Sequence, residues 1–305
     1  MKSFDDMSFF PLQEELVNIL IKKTQNQNPL FFRVLIAYHF ARLASMMRAD
    51  IDTLDRGLIP INVYAIALSP SGSAKGFSTN IIEDHVINQF KETFTGSTFP
   101  AIAMQSIDKL AVKRQTAIVS YDEQLEKLEK EFENLGPLVF SFDSGTSPAV
   151  KQMRHKLLMA GAGSINLEID EIGSNLVSNT EVLNTFLELY DVGKIKQKLV
   201  KSTKDNTRTQ EIDGRTPTNM LLFGTPSKLL NGTNTETEFF SMLETGYARR
   251  CLFGYTRQTK KSHDLSPDQV FDMLTDQNSD ITLAKLSNKL ANLADPVNFR
   301  TKIKV

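Results

Sequence analysis

A turn of small residues that ends in a lysine is the segment with the clearest chemical potential in this sequence. Its candidate phosphate-binding residues are Ser69, Ser71, Gly72, Ser73, Ala74, Lys75, Gly76 and Phe77. An apolar run precedes the turn and a helical pattern follows it. In that setting the backbone N–H groups of the turn can surround a phosphate, and the helix N-terminus adds positive potential. We therefore predict that this turn binds the phosphates of a nucleotide, with Lys75 reaching the outer ones.

The turn resembles a phosphate-binding loop, G-x-x-x-x-G-K-[ST], with three exchanges. Ser69 and Ala74 occupy the two glycine positions, and Gly76 occupies the position of the hydroxyl that normally ligates Mg²⁺. Ser78 is the predicted replacement for that hydroxyl, and Thr79 is the alternative. The competing interpretation of the segment is a flexible Ser/Gly loop that carries a solvated lysine.

Polar side chains follow two further apolar runs. Asp170 and Glu171 come directly after residues 164–169, and Thr225 comes directly after residues 219–224. Beside a phosphate loop, one carboxylate can hold Mg²⁺ while its neighbour activates a water molecule as general base. We assign these roles to Asp170 and Glu171 respectively, and predict that Thr225 senses the γ-phosphate. The competing interpretation is a pair of solvated turns.

Two adjacent arginines, Arg249 and Arg250, precede a late apolar run. An arginine that reaches into a neighbouring subunit's nucleotide site stabilises the charge of the transferring phosphate, and this requires an oligomer. The alternative is that one of these arginines pairs locally with a carboxylate.

A basic stretch lies between the acidic pair and Thr225. Its candidate DNA-binding residues are Lys194, Lys196, Lys198, Lys201, Lys204 and Arg208. Lysines alternate with other residues at its start, which favours a β-hairpin arm. Such an arm would bind nucleic-acid phosphates without sequence preference. A solvated loop is the alternative.

Short apolar runs alternate with helical patterns along the chain, which favours an α/β fold with a mainly parallel sheet. We predict strands at residues 59–68, 138–142, 164–169, 219–224 and 251–256. We predict helices within the first 50 residues, including 30–47, and then at 76–94, 105–135, 147–159, 184–192, 236–246 and the last 40 residues. The predicted organisation is a helical N-terminal region at 1–57, a nucleotide-binding core at 58–257 and a helical C-terminal segment at 258–305.

Composition excludes several classes of protein. Lys and Arg total 35 against 36 Asp and Glu, so the chain is not polybasic. The single cysteine excludes an intrachain disulfide, and four scattered histidines make a structural zinc site improbable. The longest apolar runs are about six residues, far short of the roughly 20 that a membrane span needs. We expect a soluble, cytoplasmic protein without a membrane partner.

The ordered motifs resemble the phage and prophage family of primase–helicase ATPase domains, which have a RecA/AAA+-like core. The motifs are Asn62-Val-Tyr-Ala-Ile-Ala-Leu-Ser-Pro-Ser-Gly-Ser-Ala-Lys-Gly76, Ser144-Gly-Thr-Ser-Pro148, Ile169-Asp-Glu-Ile-Gly173, Leu221-Leu-Phe-Gly-Thr-Pro226 and Tyr247-Ala-Arg-Arg-Cys-Leu-Phe-Gly254. They cover roughly residues 30–257. The resemblance implies ATP with Mg²⁺ as cofactors, a homo-oligomeric ring, and single-stranded or forked DNA as partner. It also implies a role in phage DNA replication in the host cytoplasm.

Three functions remain open from the sequence. The first is a DNA-dependent ATPase motor, a helicase or helicase-like protein. The second is a nucleotide-binding assembly or loading factor that hydrolyses ATP weakly. The third is a non-catalytic phage protein that has inherited the fold.

Overall fold

The computed structural model describes residues 9–191, 193–195, 212–256 and 266–304. These residues form an α/β fold around a small, wholly parallel central sheet. The predicted fold class is thereby confirmed at this level. None of the helices in the described ranges combines the length and the apolar character that crossing a membrane would require.

Helices make up most of the ordered structure. The α-helices are α1 (Pro11–Thr24), α2 (Pro29–Met46), α3 (Lys75–Ile82), α4 (Asn88–Thr93), α5 (Phe99–Arg114), α6 (Tyr121–Asn134), α7 (Ser147–Ala160), α8 (Ile172–Leu189), α9 (Pro226–Leu229), α10 (Asn234–Met242), α11 (Pro267–Leu274) and α12 (Gln277–Leu293). Wider π-helical turns occur at Glu83–Ile87, Phe94–Thr98 and Leu243–Tyr247, and a 3₁₀ turn at Pro296–Asn298.

The strands belong to two sheets. They are β1 (Asp50–Thr53), β2 (Gly57–Pro60), β3 (Tyr64–Leu68), β4 (Ile165–Ile169), β5 (Thr218–Gly224), β6 (Cys251–Tyr255) and β7 (Lys302–Lys304). The central sheet has the order β4-β5-β3-β6, and the smaller sheet has the order β2-β1-β7. In the smaller sheet β1 is antiparallel to β2 and parallel to β7.

Buried, continuous apolar strands explain why the central sheet is parallel and covered on both faces. All seven residues of β5 are buried, and so are four of the five residues of β3. Helix α2 packs across β3, β5 and β6. It begins at Pro29 after Asn28, whose side chain accepts a hydrogen bond from the N–H of Phe31. As predicted, this helix is buried on most sides.

Helices α1 and α12 pack onto the same hydrophobic core as the sheet. Helix α12 packs against α4 and the π-helical turn that precedes it. Two ion pairs join α1 to the start of α12, Lys22 with Asp276 and Lys23 with Asp280. A smaller apolar cluster lies where α6 meets α5 and α7.

One of the predicted strands is wrong in its extent. The run 59–68 is split, because β2 ends at Pro60 in the smaller sheet and β3 starts at Tyr64 in the central one. Proline has no N–H to donate to a ladder. Between the two strands, Asn62 accepts a hydrogen bond from the N–H of Thr218 and donates to the carbonyl of Tyr190.

The predicted strand at 138–142 does not form. Only Phe142 bridges to β4, through a parallel pairing with Leu167. The side-chain amide of Asn166 donates a hydrogen bond to the carbonyl oxygen of Phe140. In a regular strand, that oxygen would accept a hydrogen bond from a neighbouring strand.

The helices also differ in their bounds from the sequence-based prediction. The predicted helix at 76–94 continues through two π-helical turns into α5, so the chain is helical from Lys75 to Arg114. The stretch 105–135 contains a break before Ser120, whose side chain forms a capping box with Glu123 at the start of α6. Helix α8 begins at Ile172, well before the predicted residue 184. The C-terminal region is helical but also supplies β7.

Candidate functional site

The carboxyl ends of β3, β5 and β4 meet at one edge of the central sheet. Strand β5 lies between the other two, with Gly224 beside Leu68 and Leu222 beside Ile169. In open parallel sheets, ligands bind in the crevice outside this edge, where successive connections run in opposite directions. Here the chain leaves β3 for β4 on one side and later reaches β6 on the other. The predicted turn, the acidic pair and Thr225 all follow these three strand ends.

The loop after β3 is shaped by two left-handed backbone positions. Gly72 has φ +77° and Ala74 has φ +61°, and α3 begins at the next residue. The N–H of Ser69 bonds the carbonyl of Gly224, which ties the loop to β5. A Cβ atom added at Gly72 or Gly76 would meet no atom within 4 Å, so the loop borders open space.

The start of α3 carries N–H groups that the helix itself cannot satisfy. The residue preceding the helix is Ala74, which has no side chain able to cap them. Unbonded N–H groups and the helix dipole together attract anions such as phosphate. Ser71 and Phe77 are exposed at this mouth, and Ser73 is half-buried with its hydroxyl donating to the carbonyl of Pro70.

Lys75 lies against the two other predicted groups. Its Nζ is 3.2 Å from Thr225 Oγ1 and 3.8 Å from Glu171 Oε2. Thr225 donates its hydroxyl to Glu171 Oε2 at 2.7 Å and its N–H to Glu171 Oε1 at 3.2 Å. The structure therefore brings together Lys75, Glu171 and Thr225, which are far apart in sequence.

The surroundings shift the pKa values of both charged groups. Burial lowers the pKa of Lys75 below its usual value, the charge of Glu171 partly opposes this, and Lys228 adds to the lowering. Burial alone would raise the pKa of Glu171. The two hydrogen bonds from Thr225 and the charges of Lys75 and Lys228 outweigh burial and hold the pKa of Glu171 below its usual value. Glu171 is thus an ionised acceptor at neutral pH.

Lys228 is a site residue that the sequence analysis missed. It lies in the short helix α9, and its Nζ is 3.5 Å from Glu171 Oε2. Its position three residues after Thr225 could have identified it in the sequence, because residues at that spacing in a short helix lie close to the same edge of the sheet. Two ammonium groups therefore face the Glu171 carboxylate, and the charge of Asp170 also acts on Lys75.

The residues fit a phosphate better than they fit a complete magnesium site. Asp170 is exposed at the end of β4 and can act as a metal ligand. Ser78 is fully buried, and its hydroxyl donates to the carbonyl oxygens of Ala74 and Lys75. Thr79 likewise donates to Lys75. The hydroxyls of Ser78 and Thr79 thus bond the helix backbone. The hydroxyl of Ser69, by contrast, is buried beside the loop and has no hydrogen-bond partner among the described residues.

The arginines lie at the other edge of the sheet. Cys251, the first residue of β6, pairs with Tyr64, the first residue of β3, so Arg249 and Arg250 precede the amino end of the sheet. Five strand residues separate this edge from the phosphate loop, roughly 15 Å. Arg250 pairs with Asp191 at 3.5 Å and donates to the carbonyl of Gly246, whereas Arg249 is exposed. The structure therefore does not bring either arginine to Lys75 within one chain.

The two ends of the basic stretch lie side by side. The N–H of Thr216 bonds the carbonyl of Gly193, and Lys194 pairs with Asp213 at 3.0 Å. Ile195 packs against the main core. The two ends of segment 194–215 therefore lie next to each other, which is compatible with both the predicted arm and a solvated loop. Lys196, Lys198, Lys201, Lys204 and Arg208 lie outside the described residues.

A cleft of about 360 Å³ lies at the base of this stretch. Its lining includes the cationic side chains of Arg56 and Arg215, the aromatic ring of Tyr190 and the carboxylate of Asp191. Arg215 donates to the carbonyl of Leu58 with one of its nitrogen atoms. The cleft thus adds positive and aromatic groups to the amino edge of the sheet.

One cluster of metal-ligand residue types also occurs in the described part of the chain, formed by the buried His39 and the partly buried Glu83 and Glu168. A cation is already built into it, because the buried guanidinium of Arg42 bonds both carboxylates. His39 Nδ1 lies 3.3 Å from Glu83 Oε1. A metal ion here would be repelled by Arg42, so we assign no metal to this group.

Comparison with known proteins adds no relative, because no protein-family model, curated protein or solved structure matches this chain.

Proposed function

We propose that this chain is an ATP-dependent motor of DNA replication, a helicase or helicase-like P-loop ATPase with a RecA/AAA+-like core. The observation that carries the proposal is the meeting of Lys75, Thr225 and Glu171 at the carboxyl edge of a parallel sheet. A strand, a turn of small residues, a lysine and a helix precede this meeting in the order that phosphate binding requires.

Each group has a role that follows from its position. The loop N–H groups and Lys75 bind the β- and γ-phosphates, displacing Lys75 from Glu171. Glu171, held ionised, accepts a proton from the attacking water. Thr225 lies between Glu171 and Lys75, so it senses the γ-phosphate when Lys75 binds that group. Asp170 would hold Mg²⁺, which offsets the charge of the phosphates when bound.

Binding of ATP is the first test. In a thermal shift assay, Mg-ATP at 100 times its dissociation constant stabilises a binding protein by about 2.7 kcal/mol. We expect this shift in the wild type and not in Lys75→Ala. Lys109→Ala, a change at an exposed lysine of α5, serves as the matched control and keeps the shift. Equal shifts in the wild type and Lys75→Ala would contradict the proposal.

Hydrolysis is the second test. Glu171→Gln keeps the size of the side chain and removes the basic oxygen. We expect retained ATP affinity and a fall in turnover of about 10²–10⁴-fold. Unchanged steady-state hydrolysis in this variant would reassign Glu171 to a structural role.

The DNA partner is tested through the basic stretch. Single-stranded DNA should stimulate the wild-type ATPase. Replacing Lys196, Lys198 and Lys201 with alanine should flatten the log–log salt slope of DNA binding by up to about two units. Basal turnover should stay unchanged, because the proposed nucleotide-binding residues Lys75 and Glu171 lie outside the basic stretch. A triple variant with wild-type affinity and salt slope would leave the stretch as a solvated loop.

A second candidate is a nucleotide-binding assembly or loading factor that hydrolyses ATP weakly. It is favoured by the two bonds from Thr225 that occupy Glu171 and by the missing hydroxyl at Gly76. ATP binding without turnover, with or without DNA, would select this function over the motor.

A further inference from the structure

The buried guanidinium of Arg42 joins the two elements that carry the proposed nucleotide site. Arg42 lies in α2 and is fully buried. It bonds Glu83, which directly follows α3, and Glu168, which lies in β4 two residues before Asp170. One side chain thus spans from the phosphate-loop helix to the strand that ends in the acidic pair.

The contacts around Arg42 leave it little freedom. Tyr38, one turn earlier in α2, donates its hydroxyl to the same Glu168 oxygen at 2.8 Å. The guanidinium carbon lies 4.9 Å from the ring centroid of Phe140. The planar fork of arginine fixes the direction of its bonds, so it sets the spacing of two carboxylates in a way that a lysine cannot.

The helix departs from regular α-helical geometry at the residue that makes this contact. Glu83 opens a π-helical turn, the first departure from α-helical hydrogen bonding after Lys75. Turns of this kind occur mostly as single insertions and are frequent at functional sites. A buried ion pair is also poor evidence for stability alone, because apolar replacements are often as stable.

We propose that Arg42 is a positioning residue that holds the phosphate loop and the Asp170–Glu171 pair at a fixed separation through Glu83 and Glu168. The inference rests on the proposed function, since it concerns the same nucleotide site. Mg²⁺-dependent nucleotide binding and ATP hydrolysis need both the loop and the acidic pair, so loss of the bridge should impair them. Metal-free nucleotide binding needs the loop alone, so it should be unaffected.

The test compares two sets of variants of the full chain. The triple variant Arg42→Met, Glu83→Gln, Glu168→Gln removes the bridge and leaves no unpaired charge. Arg48→Met is the matched control, because Arg48 is a partly buried arginine just beyond α2 that bonds the backbone carbonyls of Leu157, Ala162 and Arg215 and no carboxylate of the bridge. Arg42→Lys is the second bridge variant and retains the charge if the triple variant does not fold.

Three quantities are measured for each protein. They are the affinity for a fluorescent ADP in EDTA, the gain in affinity when Mg²⁺ is added, and kcat with KM for ATP. A small displacement of reacting groups can reduce turnover by about 100-fold. We therefore expect both bridge variants to keep metal-free ADP affinity within about threefold, and to lose the Mg²⁺ gain and about 10–100-fold in kcat. Arg48→Met should retain the Mg²⁺ gain and kcat.

Two results would overturn the inference and leave the proposed function standing. One is a Mg²⁺ gain and kcat within twofold of wild type in the bridge variants. The other is an equal loss in Arg48→Met, which would assign the effect to general destabilisation. A wild-type protein that binds no nucleotide, with or without Mg²⁺, would refute the proposed function and the inference with it.

Discussion

Replacing Glu83 with glutamine should lower the stability of the protein in a pH-dependent manner. The change keeps the shape of the side chain and removes its charge, leaving Arg42 with one carboxylate, Glu168. The side chain of Glu83 is 26% exposed, so most of it is shielded from water. The perturbation therefore reports the electrostatic environment of one buried group.

The magnitude follows from the pKa of Glu83. Burial alone would raise it, but the contact with His39 and the charge and hydrogen bond of Arg42 lower the pKa from 4.5 to about 2. A shift of this size corresponds to about 3 kcal/mol of stability contributed by the ionised carboxylate. Glutamine cannot supply it, so we expect Glu83→Gln to lower the free energy of unfolding by about 3 kcal/mol at pH 7.

The sign of the pH dependence is fixed by the direction of that shift. A carboxylate whose pKa is lowered on folding contributes stability above its unfolded pKa and loses it as the pH falls through the folded one. The difference between wild type and Glu83→Gln should therefore be full above about pH 5.5 and should shrink progressively toward pH 2.

Urea unfolding of both proteins at several pH values between 7 and 3 measures this difference. Glu126→Gln is the control, because Glu126 pairs with Lys130 on the exposed face of α6, where water screens the charges. Its unfolding curves should follow those of the wild type at every pH. A difference below about 1 kcal/mol at pH 7 for Glu83→Gln, or one that does not shrink with acid, would refute the electrostatic reasoning.

Three further predictions concern single residues. Ala74→Gly should stabilise the protein by about 0.5–1 kcal/mol in urea unfolding, because alanine is strained at φ +61° and glycine is not; destabilisation would contradict the loop geometry. Gly193→Ala should cost about 2–4 kcal/mol, because its φ is +65° and the new Cβ would lie 2.4 Å from the carbonyl oxygen of Thr216; a neutral effect would contradict the close approach of Gly193 to Thr216. Burial raises the pKa of the Cys251 thiol to about 12, so a disulfide reagent at pH 8 should modify the native protein about 1,000-fold more slowly than a free thiol. A native rate equal to that of the urea-unfolded protein would show that this thiol is accessible.

The sequence by itself determined the local parts of the candidate site. A β-branched apolar run predicts the buried strand β3, and the small residues and lysine that follow it predict the loop and helix start. The acidic pair and Thr225 were assigned in the same way, as polar residues directly after apolar runs. Local patterns suffice here because strand burial and turn chemistry depend on neighbouring residues in the chain.

The tertiary structure decided which of these parts meet. Strand β5 lies between β3 and β4, and this order places Thr225 between Lys75 and Glu171. All strands of the central sheet run in the same direction. Lys75, Glu171 and Thr225 follow carboxyl ends of strands, whereas Arg250 precedes the amino end of β6 and so lies at the opposite edge of the sheet.

The bridge through Arg42 is likewise invisible in the sequence. Arg42 and Glu168 are 126 residues apart, and in the sequence Arg42 is one of two arginines in a mainly apolar helix. A charged side chain can be buried only where the fold brings opposite charges and hydrogen-bond partners around it. Those partners come from the π-helical turn after α3, from β4 and from α2 together, so burial and pairing of this kind are settled only when the elements pack.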